Sequence, residues 1–294
     1  MKKIELVLWF RCNTRCLFCV VDPQAAGESM GTAAALRRLE RGREEGAEAV
    51  DFGGGEPTLR DDLPELARAA ARLGYRDVGV KSNGLRLCYP DYLESLMAAG
   101  IRSFSVPVWG RPAEHDALCG VKRAFDMLEM GVKHALDFGA QVQADLLLTS
   151  LSVAHAPALA ADFAALGVRR FSARLYCLFG SGFTRPHLLP GMTEAGRATV
   201  EAARVLAPSG ASIATGHIPP CLLGPMPELY DDIAKQELIV VTPGGEFPAE
   251  TSPFEAGNQT PRCAGCAYAG RCRGPRIEYV RERGDGEFVP VRGA

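Results

Sequence analysis

Two hydrophobic periods alternate along the first 180 residues. Short apolar runs with strand character are "IELVLWF", "AVDFGG", "DVGVKSNG", "IRSFSVPVWG", "QVQADLLLTS" and "VRRFSARLY". Between them lie stretches rich in Ala, Leu, Arg and Glu whose apolar positions recur at helical spacing, such as "AAALRRLERGREEGAE" and "LPELARAAARLGY". Six strands alternating with helices predict βα units and a parallel sheet. One unit takes roughly 25 to 35 residues, which suits a barrel-like winding. The expected fold is α/β, a partial (β/α)6 TIM-like barrel of roughly three quarters of an eight-unit barrel. An open doubly wound sheet is the alternative, and periodicity alone does not separate the two.

After one more helical stretch, "TEAGRATVEAARVLA", the pattern changes. "ASIATGHIPPCLLGPMPELYDD" is rich in Pro and Gly, and "ELIVVTPGGEFPAE" reads as a hairpin around a "PGG" turn. The last part, "PRCAGCAYAGRCRGPRIEY", is loop-like. The change places a boundary near residue 210, giving a barrel over 1–210 and a small C-terminal domain over 211–294. No internal repeat appears beyond the βα alternation.

Charge removes some partners. With 33 basic and 35 acidic residues the net charge is −2, so no global field favours nucleic acid or an anionic membrane. No apolar run reaches the ~20 residues that span a bilayer. The start "MKKIELVLWFRCNTRC" has two lysines and an apolar stretch. It carries Glu5, however, and runs into cysteines without a small-residue cleavage site, so it reads as a strand and the chain as cytoplasmic.

The 10 cysteines are too dilute for a disulfide scaffold, and six of them cluster at the two ends. Cys12, Cys16 and Cys19 follow the first strand, at the C-terminal end of the sheet where α/β folds place active sites. A closed tetrahedral metal site takes four protein ligands, so three thiols suggest a site with one open position. Three thiolates on a short loop can hold three irons of a cubane cluster. A zinc knuckle or a purely structural cluster is the competing reading. Cys263, Cys266 and Cys272 form the second set, with Cys221 some forty residues upstream. Four thiols can close a second four-iron cluster or a zinc tetrahedron. Cys177 is the alternative fourth member. Cys88 and Cys119 read as ordinary buried thiols. The five histidines form no paired metal motif and read as structural, with His217, four residues before Cys221, a weak exception. Arg262, Arg271, Arg273 and Arg276 read as a solvated face, with an anionic substrate as the alternative.

The first loop, Cys12-Asn-Thr-Arg-Cys16-Leu-Phe18-Cys19, resembles the signature of the radical S-adenosylmethionine (SAM) superfamily, in which an aromatic residue precedes the third cysteine. The end of the second strand, "DFGGGEPTL", resembles the same family's Gly-Gly-Glu-Pro motif at Gly54, Gly55, Glu56 and Pro57. The resemblance implies a [4Fe-4S] cluster on Cys12, Cys16 and Cys19 whose open iron takes SAM. Reductive cleavage then gives a 5′-deoxyadenosyl radical that abstracts a substrate hydrogen. It implies SAM contacts from Phe18, from Gly54 to Pro57 with Glu56 on the amino group, and from Ser82 and Asn83. Ser105 would meet the ribose and Arg174 the carboxylate. The Asp-Gly that often follows the fourth-strand Ser in relatives is absent, and Pro107 and Trp109 stand nearby instead. The C-terminal cysteines resemble SPASM and twitch extensions, which implies an auxiliary [4Fe-4S] cluster on Cys221, Cys263, Cys266 and Cys272. Such a cluster supports net oxidation or bond formation, in peptide (RiPP) or small-molecule natural-product modification, with flavodoxin or ferredoxin as reductant. Only eleven residues precede Cys12, which favours a small molecule or a peptide brought by a separate recognition protein. The reading outside enzymology is an iron–sulfur electron carrier or a zinc-containing regulatory protein that uses no SAM.

Overall fold

The computed structural model describes residues 1–20, 27–255 and 257–292. Six strands form where the apolar runs place them: β1 (Lys3–Trp9), β2 (Ala49–Gly54), β3 (Asp77–Lys81), β4 (Ser103–Val108), β5 (Gln141–Leu148) and β6 (Arg170–Leu175). Between and after them run α1 (Thr32–Glu44), α2 (Leu63–Arg72), α3 (Pro90–Ala98), α4 (Pro112–Cys119), α5 (Ala124–Asp137), α6 (Ala156–Leu166) and α7 (Met192–Leu206). Each of β1 to β6 pairs in parallel with the next. The result is a mixed α/β fold with a mostly parallel open sheet, a partial TIM-like barrel.

Helix ends follow local chemistry. Proline stands in the first turn of α2, α3, α4 and α6, where its missing N–H costs nothing. Gly120 (φ 70°) and Gly167 (φ 114°) end α4 and α6 in the left-handed conformation that a Cβ disfavours. Strand faces split cleanly. Along β5, Val142, Ala144, Leu146 and Leu148 are buried while Gln143, Asp145 and Leu147 are only partly so. The buried face, with Leu6, Phe52 and Phe104, packs on Leu39, Leu66 and Leu128 from the helices. Each such apolar side chain contributes roughly 1.5–3 kcal/mol by leaving water. The opposite face is polar. Lys3 pairs with Asp51 at 2.6 Å, Lys81 pairs with Glu5, and Ser105 donates to Asp145.

The sheet continues past the six expected strands. Among the described residues it has nine, in the order β7-β6-β5-β4-β3-β2-β1-β8-β9. The short β7 (Ser212–Ala214) pairs in parallel with β6, so the sheet runs through the boundary expected near residue 210. The predicted hairpin forms as β8 (Leu238–Thr242) and β9 (Gly245–Pro248), joined at Pro243 and Gly244. β8 lies parallel to β1, from Lys3↔Leu238 to Leu6↔Val241. A partial barrel leaves two open edges, and an exposed edge is a row of unpaired backbone groups. β7 and the hairpin occupy those two edges. The short helix α8 (Ile277–Arg283) lies near the end of the chain. No helix among the described residues is long and apolar enough to cross a membrane.

Candidate functional site

The loop after β1 is clamped from three directions. Gly55 and Glu56 donate their N–H groups to the carbonyls of Trp9 and Arg11, both at 2.8 Å. Arg15 and Leu17 donate to the carbonyls of Cys119 and Leu118 at the end of α4, both at 2.9 Å. The Cys19 carbonyl accepts from Ser181, beyond β6, at 2.9 Å. The three thiols are thereby held at the C-terminal mouth of the barrel. Thr14 Oγ1 lies 3.1 Å from the Cys12 sulfur and 3.3 Å from that of Cys16. Burial, with Cys12, Cys19 and Cys119 nearby, pushes the Cys16 thiol up to about 12. Thiols gathered on one short loop become thiolates together when a cation sits among them. The donor set therefore fits an iron centre. Among the described residues, no three His, Cys, Asp or Glu side chains close around a single metal-ion position.

The glycines of "GGGEP" have a definite task here. A Cβ on Gly54 would lie 2.2 Å from the Trp9 carbonyl oxygen, and Gly54 has φ 122°. A Cβ on Gly55 would lie 2.2 Å from the Arg11 carbonyl oxygen. The sequence reading gives these glycines to ligand approach, whereas their close neighbour in the structure is the cysteine loop itself.

Glu56 is 0% exposed, and its carboxylate accepts from four donors of its own chain. Oε1 takes the Thr58 N–H at 2.9 Å, the Thr58 hydroxyl at 2.6 Å and the Ser82 hydroxyl at 2.9 Å. Oε2 takes the Asn83 N–H at 2.6 Å. Burial raises its pKa, opposed by these donors. In this geometry Glu56 ties the end of β2 to the end of β3, rather than offering a free carboxylate to an ammonium. Ser82 is likewise committed, donating to Glu56 and accepting from the Gly84 N–H at 3.0 Å. Asn83 reaches the cysteine loop, with Nδ2 donating to Asn13 Oδ1 at 2.7 Å and standing 3.8 Å from the Cys12 sulfur. Pro57 is buried and opens the turn that holds Thr58 under the carboxylate.

Phe18 meets Trp109 edge-on at 4.6 Å and Tyr176 edge-on at 6.4 Å. Trp109 stacks on His115 at 5.3 Å, and burial pushes that imidazole down to about 4, so it stays neutral. Deeper in the barrel, Ser105 donates to Asp145, which also accepts from Gln143 at 2.9 Å. Arg174 stands 3.9 Å from Glu255, with Asp145 and Glu5 also within its field. Glu255 comes from the C-terminal segment, and no sequence signal singles it out.

The second cysteine set converges. Cys221, Cys263, Cys266 and Cys272 line one cavity of about 390 Å3, open to solvent, together with Pro219 and Pro220. Burial, followed by Cys272, Cys266 and Cys263, pushes Cys221 up to about 12. The Gly274 N–H points at the Cys272 sulfur at 3.3 Å. Cys177 stands elsewhere, just past β6, with His217. Of the two candidates for the fourth thiol, the cavity therefore holds Cys221. The arginines nearby are engaged: Arg262 with Asp285 at 3.1 Å, Arg273 with the Glu250 carbonyl at 2.7 Å, Arg276 with Glu278, and Arg271 over the Tyr268 ring at 5.3 Å. Cys88 donates to the Leu85 carbonyl at 3.0 Å, and Cys119 is 2% exposed.

Residues 6–151, nearly half of the chain, match the family model described as the Radical SAM superfamily. A probable GTP 3′,8-cyclase of Saccharolobus islandicus is 31% identical over 141 residues, 47% of this chain and 45% of that protein. A 7,8-dihydro-6-hydroxymethylpterin dimethyltransferase of Methanocaldococcus jannaschii is 36% identical over 95 residues, 31% of this chain and 19% of that protein. The chain thus spans less than half the length of these curated relatives. Among solved structures, Streptococcus suis SuiB bound to S-adenosylmethionine superposes with a TM-score of 0.69 at 18% identity, over 88% of this chain and 62% of that one. Native anSMEcpe with bound AdoMet and Cp18Cys peptide superposes with a TM-score of 0.68 at 12% identity, over 99% of this chain and 93% of that one. At such identities these structures share the fold with this chain.

Proposed function

We propose that the chain is a radical SAM enzyme of the oxidoreductase or maturase kind that abstracts a hydrogen atom from a peptide or a small natural product. The observation that carries this reading is the cysteine loop, seated by Gly54 and Gly55 at the barrel mouth. Cys12, Cys16 and Cys19 would hold a [4Fe-4S] cluster, and an open iron position would take SAM. Bound there, the pair supplies a carbon-centred radical for hydrogen abstraction, given an electron from a flavodoxin- or ferredoxin-type donor.

The chain's own residues prepare the site. Gly54 is exposed and Gly55 half-buried at the end of β2, where their backbone would face a SAM ammonium. Glu56 and Ser82 fix the strand ends from which Asn83 reaches toward the ligand. Phe18 and Trp109 pack edge-on and would give the site an apolar wall. Ser105 and Arg174 place a hydroxyl and a guanidinium on the polar face of the strands, where the ribose and carboxylate of SAM would find partners. We assign the SAM chemistry to residues 1–210 and a SPASM- or twitch-like auxiliary role to 211–294. In the latter, Cys221, Cys263, Cys266 and Cys272 would hold a second [4Fe-4S] cluster. Four thiolates leave no open iron, which suits an electron acceptor and a net oxidation or bond formation. A tetrathiolate zinc is the competing occupant.

Both parts yield to one experiment, iron and acid-labile sulfide per chain after anaerobic reconstitution. It is run on wild type and on a variant with Cys12, Cys16 and Cys19 changed to Ala, with 5′-deoxyadenosine release from SAM as the second readout. About eight irons falling to about four, with SAM cleavage abolished, is the expected result. About four falling to none, with zinc retained, would remove the auxiliary cluster. Absence of SAM cleavage in the fully loaded wild type would remove the enzyme reading.

A further inference from the structure

The chain leaves the sheet at Trp9, passes through Cys12, Cys16 and Cys19, and is back beside β1 at Ser29 and Met30. Ser29 pairs antiparallel with Trp9, and the Met30 N–H donates to the Leu8 carbonyl at 2.7 Å. These contacts form the neck of the first cysteine loop. The clamps described above hold the loop along its length, and the neck is held separately.

Arg60, four residues past Glu56, reaches into this neck. It is 7% exposed, and an arginine is almost never buried so far without partners. Nη1 donates to the Met30 carbonyl at 2.8 Å and to the Leu8 carbonyl at 3.2 Å, so one nitrogen joins the outgoing chain to the returning one. Nε donates to Asp62 Oδ1 at 2.7 Å and Nη2 donates to Oδ2, a bidentate pair that fixes the plane of the guanidinium. Asp62 also accepts from Thr32 Oγ1 at 2.7 Å, at the first residue of α1. The guanidinium carbon lies 5.4 Å from the centre of the Trp9 ring, whose indole N–H donates to the Glu56 carbonyl at 2.9 Å. The end of β1, the return of the loop, the start of α1 and the turn after β2 thus meet around one side chain.

The contacts are of a kind that acts on the loop rather than on the sheet. β1 pairs with β8 from Lys3 to Leu6 and with β2 along its length, through its own backbone. Three thiolates can share one cubane cluster only while their segment stays folded back on itself, and closing a flexible loop costs entropy. A neck that opens raises that cost. Lysine cannot take over the task, because a single ammonium does not span two carboxylate oxygens and two carbonyls in one plane.

We propose that Arg60 is a positioning residue for the first cysteine set: by tying the Leu8 and Met30 carbonyls to Asp62 it closes the neck of the loop and keeps Cys12, Cys16 and Cys19 within reach of one cluster. Its partners are backbone carbonyls, a carboxylate and an indole, so it works through the loop. The consequence for iron rests on the function proposed above, whereas the closure of the neck does not.

The test uses the full-length protein. In its metal-free form, amide hydrogen exchange is followed by mass spectrometry on peptides that contain Met30. Arg60→Lys is expected to speed exchange there by about tenfold or more, while peptides from β4 and β5 exchange as in wild type. In the anaerobically reconstituted protein, iron release to bathophenanthroline disulfonate is timed with and without the change of Cys12, Cys16 and Cys19 to Ala. Arg60→Lys is expected to release iron about tenfold faster where the three cysteines are present and to change nothing where they are absent. That contrast separates a role at this site from a general loss of fold. The electron paramagnetic resonance signal of the reduced protein is titrated with SAM in parallel, and the variant is expected to need several-fold more SAM for the same spectral change. Asp62→Asn removes the anchor and leaves the arginine. It is expected to move exchange and iron release in the same direction, which keeps the test open if Arg60→Lys fails to fold. Wild-type exchange at Met30, or wild-type iron release, in either folded variant would overturn the proposal. A wild type that binds no iron on Cys12, Cys16 and Cys19 would count against the radical SAM reading, and the exchange result would still decide whether Arg60 closes the neck.

Discussion

Glu56 shows how much one side chain can organise. Its carboxylate joins Thr58, Ser82 and Asn83, so the ends of β2 and β3 are fixed relative to each other through a single buried group. Glu56→Ala leaves four donors without their acceptor at a buried position. A destabilisation of about 2–4 kcal/mol is expected, read from urea unfolding. Glu56→Gln keeps the shape but turns an NH2 toward at least one of those donors, and should lose most of the same stability. The sequence made this residue conspicuous through "GGEP", but not its partners, because hydrogen-bond saturation is set by where Ser82 and Asn83 return in space. Glu255 is the opposite case. Nothing around "TSPFEAG" marks it, yet it pairs with both Arg174 and His217. Its pKa is depressed from 4.5 to about 2, so its contribution is present above the unfolded value and is lost as pH falls toward 2. In wild type, stability should decline over that window by at most about 3 kcal/mol more than in Glu255→Gln, as unfolding at stepped pH would show.

At the scale of elements, the clamp on the first cysteine loop decides whether three thiols can act as one site. β1 ends at Trp9, and the following loop crosses the end of β2 where only glycine fits. Gly55→Ala puts a methyl group 2.2 Å from the Arg11 carbonyl oxygen, so the loop must lift. The sheet below it keeps its pairing. Iron per chain is therefore expected to fall by up to four after reconstitution, while the far-ultraviolet circular dichroism of the variant matches wild type. A variant that loads iron normally would show that the loop tolerates the shift. Strands β1 to β6 were legible as short apolar runs: β5 and β6 alternate buried and open positions, and β2 is buried almost throughout. β7 was not, since three residues, "SIA", carry no period. The hairpin was legible from "TPGG", but its parallel partner β1, more than 230 residues away, was not, because strand pairing between distant segments leaves no local trace.

At the scale of the whole molecule, the C-terminal segment extends the barrel sheet at both of its edges. After β7 on one sheet edge, the chain runs past His217 and Cys221 and delivers β8 to the other edge, beside β1. The Lys3 N–H bonds the Glu237 carbonyl at 3.1 Å, and the Met1 amino group lies 3.7 Å from the Glu237 carboxylate. A composition change near residue 210 marks where regular βα winding stops. It does not mark a point where contacts stop, because a sheet edge is closed by whichever strand arrives. A chain ending at residue 210 would lose β7 and β8, leaving β6 and β1 as open edges, and β1 carries the cysteine loop. Exposed parallel edges of this kind invite pairing between copies. The truncated chain is therefore expected to elute as aggregate on size exclusion and to hold less iron on Cys12, Cys16 and Cys19 than a full-length protein whose Cys263, Cys266 and Cys272 are changed to Ser. A monomeric 1–210 fragment with a full complement of about four irons would show instead that the barrel is self-sufficient and that the edge strands serve only to carry the second cysteine set.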